Sequence, residues 1–442
     1  MLSILTIIVI FGSAIFLHEL GHYLACRFFR IKTPEFAVGF GPTLLKYTDS
    51  RETKWMLKII PLGGYVKIPA MEPESKEPAT TNQKIAIAIA GPLGNLFTGI
   101  LAAAILWFSG WPQTPEKDST IGWVSQELQA ETSLRPGDQL ININGNEVKT
   151  WEEVAWAIIL GTKTQTSMPM TSFKTKSGKT GVFATPIGGD YNIRQAGIDK
   201  ISIPKISMVI SQSPASKAGL MTGDIILEIN DEPILSTKRI REISADGKNH
   251  EFKVKRADMT FTTKMRSEEA QITEDGQTLK MLGVYWKEDK AWQHPSVWES
   301  MQRAVSSTFR GIIALLNPKT DIGVQHMSSA PGIIKMIHVH SQTSLGHAAW
   351  MAIIININLA ILNLLPIPAL DGGHILIALI QKIKGKPVNP HIRRRIEIVC
   401  FLILIIFMIY VSVQDIRNWN RGEDNTEYIQ PRFGPSSPNP GS

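Results

Sequence analysis

The 442 residues predict a polytopic α-helical membrane protein: four transmembrane helices, a membrane-associated β-hairpin and two extracytoplasmic β-rich modules. Three observations carry that prediction. Residues 1–24, 84–108, 346–368 and 396–413 are apolar runs, each near the roughly 20 residues that cross a bilayer as a helix. Basic residues gather after the first run and between the third and fourth. Between the second and third runs lies a polar stretch of ordinary globular composition, and it contains a faint internal repeat.

The first run opens M-L-S-I-L with no basic n-region, and its apolar part is longer than a secretory signal requires, so it reads as a retained helix. A formal net charge of +7 would suit nucleic acid, but its distribution points to lipid. Eight Lys and Arg fall between Arg27 and Lys67, and six, Lys386 among them, between Lys382 and Arg395. The positive-inside rule makes both loops cytoplasmic. One four-span topology satisfies both placements, with the termini and residues 109–345 outside. The only cysteines are Cys26 and Cys400, in or beside spans, so no disulfide framework is implied.

Residues 1–110 therefore hold the first two helices and a cytoplasmic loop. Within it, K-W-M-L-K-I-I-P-L-G-G-Y-V-K-I has two strand-like runs around a Pro-Leu-Gly-Gly turn, a β-hairpin over about 53–70. It is either a plain loop hairpin or one that dips into the membrane, shielded by protein. In the outer region, S-L-R-P-G-D-Q-L-I-N-I-N-G-N-E-V at 133–148 aligns with G-L-M-T-G-D-I-I-L-E-I-N-D-E-P-I at 219–234. That spacing predicts two modules of about 85–90 residues, at 115–200 and 201–290, and the Gly-Asp turn feeding a strand resembles PDZ domains. In 293–345, Trp298, Met301, Val305, Phe309, Ile312 and Leu316 recur at helical spacing. Such a helix either lies on the outer membrane face or packs on the second module. Residues 346–418 hold the last two helices, and the Pro- and Ser-rich end of 419–442 reads as a disordered tail.

The chemistry sits in F-L-H-E-L-G-H-Y-L, residues 16–24. His18 and His22, four apart, project from one helical face and can reach a single metal ion. Glu19 can take a proton from water there, and zinc suits imidazole and carboxylate ligands that leave one position open. A chance H-E-x-x-H arises in roughly one such chain in a hundred, so the motif alone is weak. Three ionisable groups within one turn of a span, however, demand more than packing.

A third ligand is required, and Asp371 in N-L-L-P-I-P-A-L-D-G-G-H is the best candidate. Pro366 and Pro368 should break the third span, and Gly372-Gly373 permit close backbone approach. Depth agrees: Ile4 to His18 spans about 21 Å and Ala348 to Asn363 about 22 Å, both starting outside. His374, three residues further on, is the competing ligand. His338, His340 and His347 precede the third span and read as ordinary polar residues.

H-E-L-G-H, A-G-P-L-G-N at 90–95, N-L-L-P-I-P-A-L-D-G-G and the tandem PDZ-like insert together resemble the site-2 protease family, in its bacterial RseP-type branch, from residue 1 to about 418. The resemblance implies hydrolysis of peptide bonds within transmembrane helices at zinc held by His18, His22 and Asp371, with Glu19 as base. It also implies single-span substrates of the anti-sigma-factor type already shortened outside, signal-peptide remnants as a second class, and PDZ modules acting as a size filter. Where members often carry Ser-Gly-Pro before the third span, this chain has Ser329-Ala330-Pro331.

A peptide unwound for attack needs new backbone partners. The strand Gly64-Tyr65-Val66-Lys67 could supply them by β-addition, and Asn95 and Asn363 could hold substrate amides or merely cap local backbone. The expected partners are thus a transmembrane protein substrate, the bilayer and extracytoplasmic peptides at the PDZ modules, with no nucleic acid. The rival reading is a non-catalytic membrane scaffold with a structural metal. No Gly-x-Ser-Gly motif or intramembrane aspartate pair supports another protease class.

Overall fold

The computed structural model describes residues 2–72, 75–115, 117–161, 169–188, 193–273, 278–287, 290–318, 320, 322–341, 344–385, 388–417 and 428–433. Lys386 and most of 419–442 lie outside them. The chain forms two compact units: Met1–Pro112, Trp292–Ile313 and Met327–Arg417 in one, and chiefly Gln113–Ala291 in the other.

Among the described residues, four helices of the first unit are long and apolar enough to cross a membrane, over Ile4–Phe28, Thr81–Ser109, Leu345–Asn363 and Pro390–Arg417. The unit's helices are α1 (Leu2–Phe28), α2 (Thr81–Ser109), α3 (Val297–Leu316), α4 (Ala330–Ser341), α5 (Leu345–Asn363), α6 (Asp371–Lys384) and α7 (Pro390–Arg417). Thr80 and Gln83 form a capping box at the start of α2, and Ser344 caps α5. The third span ends at Asn363 rather than 368. Leu364–Leu370 is non-helical, and α6 restarts at Asp371 and closes on Gly385 with φ 64°. This is the break that Pro366 and Pro368 predict.

Small residues hold the bundle together. Ala102, Ala103 and Leu106 of α2 pack with Met301 and Ala304 of α3 and with Ala349, Ile353 and Ile357 of α5. Ile10 of α1, Ile337 of α4, and Met351 and Ile355 of α5 form a second cluster. Helix α3 thus packs Met301 and Ala304 against two spans, while Trp298, Phe309 and Leu316 of its predicted stripe stay exposed.

The loop between α1 and α2 departs from its expected hairpin. Its strands are β1 (Glu35–Thr48) and β2 (Lys54–Lys67). Glu35–Val38 pairs with Gly64–Lys67 and also partners Lys54–Leu57, while Thr43–Thr48 pairs with Lys54–Lys58. Across the sheet the order is thus 43–48, 54–58, 35–38, 64–67. The two halves of β2 flank β1 instead of pairing with each other, which leaves 64–67 on an edge. Phe36, 1% exposed, pins this sheet to α1, stacking on Trp55 and meeting Phe16 and Tyr23 edge-on.

The second unit carries the repeat. One four-stranded sheet has the order Asn146–Glu147, Leu140–Ile143, Met170–Thr175, Thr180–Ala184, and the other Glu232–Pro233, Ile225–Ile229, His250–Arg256, Met259–Met265. The topology is the same twice, each module with its own apolar core. The aligned turns match bond for bond. Gly137 (φ 93°) donates its N–H to Ile121 O at 2.7 Å, and Gly223 (φ 95°) donates to Ile206 O at 2.9 Å. Asp138 accepts the Arg135 N–H and Lys179 Nζ; Asp224 accepts the Met221 N–H and Arg256. Glycine is required at both positions because φ there is positive.

A correction concerns the tail. Tyr428–Phe433 is a strand paired with Glu268–Thr273, and Phe433 is buried. Pro and Ser content misread those six residues, because backbone pairing with a distant strand leaves no local trace.

Candidate active site

Helix α1 presents His18, Glu19 and His22 within one turn, and close approach of α2 locks them in place. Gly21 lies so near α2 that a Cβ would fall 2.0 Å from Ala90 O, and one on Gly94 would fall 2.1 Å from Leu17 O. Side chains at either position would force the helices apart. On the other side, the α5–α6 break delivers Asp371 at the first turn of α6, where a helix N-terminus favours a carboxylate. Gly372 and Gly373 fold back tightly enough that a Cβ would sit 2.2 Å from Leu365 O and 2.3 Å from Ile367 O, respectively.

Three side chains from these helices converge. His18 Nε2 is 3.2 Å from His22 Nε2 and 3.3 Å from Asp371 Oδ2, and His22 Nε2 is 3.4 Å from Asp371 Oδ1. A tetrahedral ion with ligands at about 2.0–2.1 Å has edges of about 3.3 Å. The separations therefore fit one face of such a site, leaving the fourth corner open. His22 Nδ1 donates to Ile87 O at 2.7 Å, which leaves the Nε2 lone pair directed at the cluster. The donor set fits a metal ion.

Glu19 faces the same cavity, of about 360 Å³, together with His18, His22, Val66, Asp371 and His374. Val66 of strand 64–67 stands in the same cavity wall. Strand 64–67 lines the cavity with its free edge, and Gly64 is tight: a Cβ would lie 2.8 Å from Ala37 O and 3.1 Å from Glu19 Cγ. Tyr65 Oη and Lys67 Nζ both reach Glu35, at 3.1 and 3.8 Å, which ties their side chains to the sheet.

The sequence-predicted residues thus divide. The ligand candidates, Glu19 and Gly64–Lys67 come together. Asn95 is buried on α2, one turn beyond Gly91, with its side-chain oxygen unbonded among the described residues; Asn363 is half-buried at the end of α5. Neither lines the cavity. His374 lines it, but its Nδ1 is engaged by Arg393 at 3.1 Å, and the convergent trio is completed by Asp371. His347 bonds to Ser344 at the start of α5, and the His340 side chain lies outside what is described. Sequence reasoning missed Gly91, Ile87 and Arg393. Only Gly91 left a signal, the small-residue spacing of A-G-P-L-G-N.

Comparison with known proteins follows the same lines. A model of peptidase family M50 matches residues 6–407. The "Regulator of sigma E protease" of Haemophilus influenzae is 27% identical, over 93% of this chain and 97% of that protein. "Regulator of sigma-E protease RseP" of Escherichia coli K12 is 26% identical, over 91% and 95%. A Pasteurella multocida protein provisionally named as a zinc metalloprotease is 24% identical, over 88% and 93%. Among solved structures, the PDZ domain of an SdrC-like protein from Listeria monocytogenes aligns at 19% identity and a TM-score of 0.17, over 21% of this chain and 96% of that one.

Proposed function

The chain belongs to peptidase family M50, and from that premise we propose that it is a zinc-dependent intramembrane endopeptidase that cuts single-span membrane proteins. The observation that carries this reading is the trio His18, His22 and Asp371 at 3.2–3.4 Å, with Glu19 in the same cavity. Zinc held there would supply a Lewis acid and acidify a water ligand. Glu19 takes the proton of the attacking water and delivers it to the amide nitrogen as the C–N bond breaks. His22 is kept in the ligating tautomer by Ile87 O, and α1 and α2 exclude bulk water from one side.

A transmembrane helix hides its carbonyls in intrahelical bonds, so the substrate must be extended before attack. The free edge of Gly64–Lys67 beside Glu19 supports β-addition of that extended segment. Asn95 and Asn363 are proposed as outer holds on the substrate backbone, away from the reacting carbonyl. The names of the relatives favour an anti-sigma-factor-type substrate, shortened beforehand on the outer side, with signal-peptide remnants as a second class. The basic loops favour a cytoplasmic site end and periplasmic modules in an inner membrane. The two repeated modules are proposed to restrict access by size and to offer peptide-binding edges.

The test is Glu19→Gln in full-length protein. Zinc content should stay near one per chain while cleavage of a transmembrane reporter falls by at least about 10³-fold. Undiminished cleavage would sink the mechanism; a wild type that holds zinc but never cleaves would favour the scaffold reading.

A further inference from the structure

His374 stands one helical turn beyond Asp371 on α6 and lines the cavity that holds His18, Glu19, His22 and Asp371. Its Nδ1 lies 3.1 Å from Nη2 of Arg393 in the first turns of α7. Arg393 is only 7% exposed, and its Nε donates to Glu397 Oε1 at 2.7 Å, so the guanidinium is held from both sides. A guanidinium offers N–H donors alone and keeps its proton in proteins. Nδ1 must therefore accept. The neutral ring then carries its proton on Nε2, the ring nitrogen with no partner among the described residues, on a side chain that lines the cavity.

We propose that His374, fixed by Arg393 as the Nε2–H tautomer, is a catalytic hydrogen-bond donor to the scissile carbonyl oxygen and to the oxyanion that forms from it. The inference rests on the peptidase reading above. In the step it serves, the water oxygen bonds to the carbonyl carbon and the C=O π pair moves onto oxygen. Glu19 receives the water proton and passes it to the amide nitrogen as the C–N bond breaks. His374 keeps its proton throughout; its N–H···O hydrogen bond strengthens as negative charge develops on the oxygen. A donor that is already oriented costs no reorganisation at that moment. Arg393 is a positioning residue, acting through the tautomer it imposes.

The test uses full-length, zinc-loaded protein in detergent, a transmembrane reporter, and His374→Leu, His374→Gln, Arg393→Met and Arg393→Lys. Removing one such donor lowers kcat by about 10²–10³-fold. His374→Leu should show that loss with KM changed less than about threefold and zinc near one per chain. His374→Gln, whose amide N–H reaches the Nε2 position, should recover at least about tenfold of the kcat, a rescue that a purely structural role would not give. Arg393→Met should lower kcat and Arg393→Lys, which still donates, should restore part of it. A phosphinic peptide, whose anionic oxygens imitate the oxyanion, should bind His374→Leu at least about tenfold more weakly than wild type.

A kcat within threefold of wild type in His374→Leu overturns the proposal, as does loss of zinc in that variant or a Gln variant no better than Leu. Failure of the parent reading looks different: wild type and Glu19→Gln would then be equally inactive, and this inference would fall with it.

Discussion

A methyl group on Gly91 would lie 2.3 Å from Nε2 of His22, the nitrogen that faces the ligand cluster. The glycine on α2 is thus the empty half of a fit whose other half is a candidate metal ligand on α1. His18 shares the space, with its Cε1 2.9 Å from the same point.

Gly91→Ala should therefore displace His22 and lower zinc affinity by at least about 100-fold, with cleavage lost in parallel. Gly12→Ala is the matched control, because a Cβ there meets nothing within 4 Å. Zinc stoichiometry by elemental analysis, read alongside helicity by circular dichroism, checks the pair; full zinc in Gly91→Ala refutes the fit.

Val66 sits opposite Phe36 on strand 64–67 and lines the cavity, so a proline there removes a backbone donor from the strand proposed to pair with substrate. Val66→Pro should keep zinc and raise KM for a transmembrane reporter by about tenfold or more. Steady-state kinetics in detergent decide the matter, and an unchanged KM would mean that substrate does not pair with this edge.

Asp224 gives a pH test away from the membrane. Burial alone would raise its carboxyl, but the Arg256 guanidinium and the Met221 N–H hold it below the ordinary range. A lowered folded value contributes stability that is fully present above the unfolded value of about 3.9 and is lost as pH falls through the folded one. Asp224→Asn should thus reduce amide protection in the second module by about tenfold or more near neutral pH. The gap from wild type should narrow below about pH 4. Hydrogen exchange at the Phe252 and Val254 amides reads both effects; a gap that widens in acid contradicts them.

How much of this was legible in the sequence varied with the range of the interaction. His18, Glu19 and His22 declare themselves because four residues make a helical turn, and Asp371 because prolines and paired glycines announce a break. The Gly137 and Gly223 turns were visible as well, since positive φ leaves a residue-level mark. Glu35–Val38 was not read as a strand. Gly39, Gly41 and Pro42 follow it closely, and what makes it a strand is pairing with residues some distance along the chain, which no local pattern encodes. The apolar stripe of α3 marked Met301, which is buried, but not its partners on the two spans, and it also took in Trp298, Phe309 and Leu316, which are exposed. Arg393 looked like one more cytoplasmic basic residue, and only the fold brings it to His374.

The candidate ligands His22 and Asp371 come from distant parts of the chain, on the first helix and after the break in the third span. During synthesis, then, the first helix enters the bilayer with two histidines and a base but no finished centre. Both repeated modules must be made before the final ligand leaves the ribosome. A chain stopped before Asp371 therefore carries only two of the three candidate ligands.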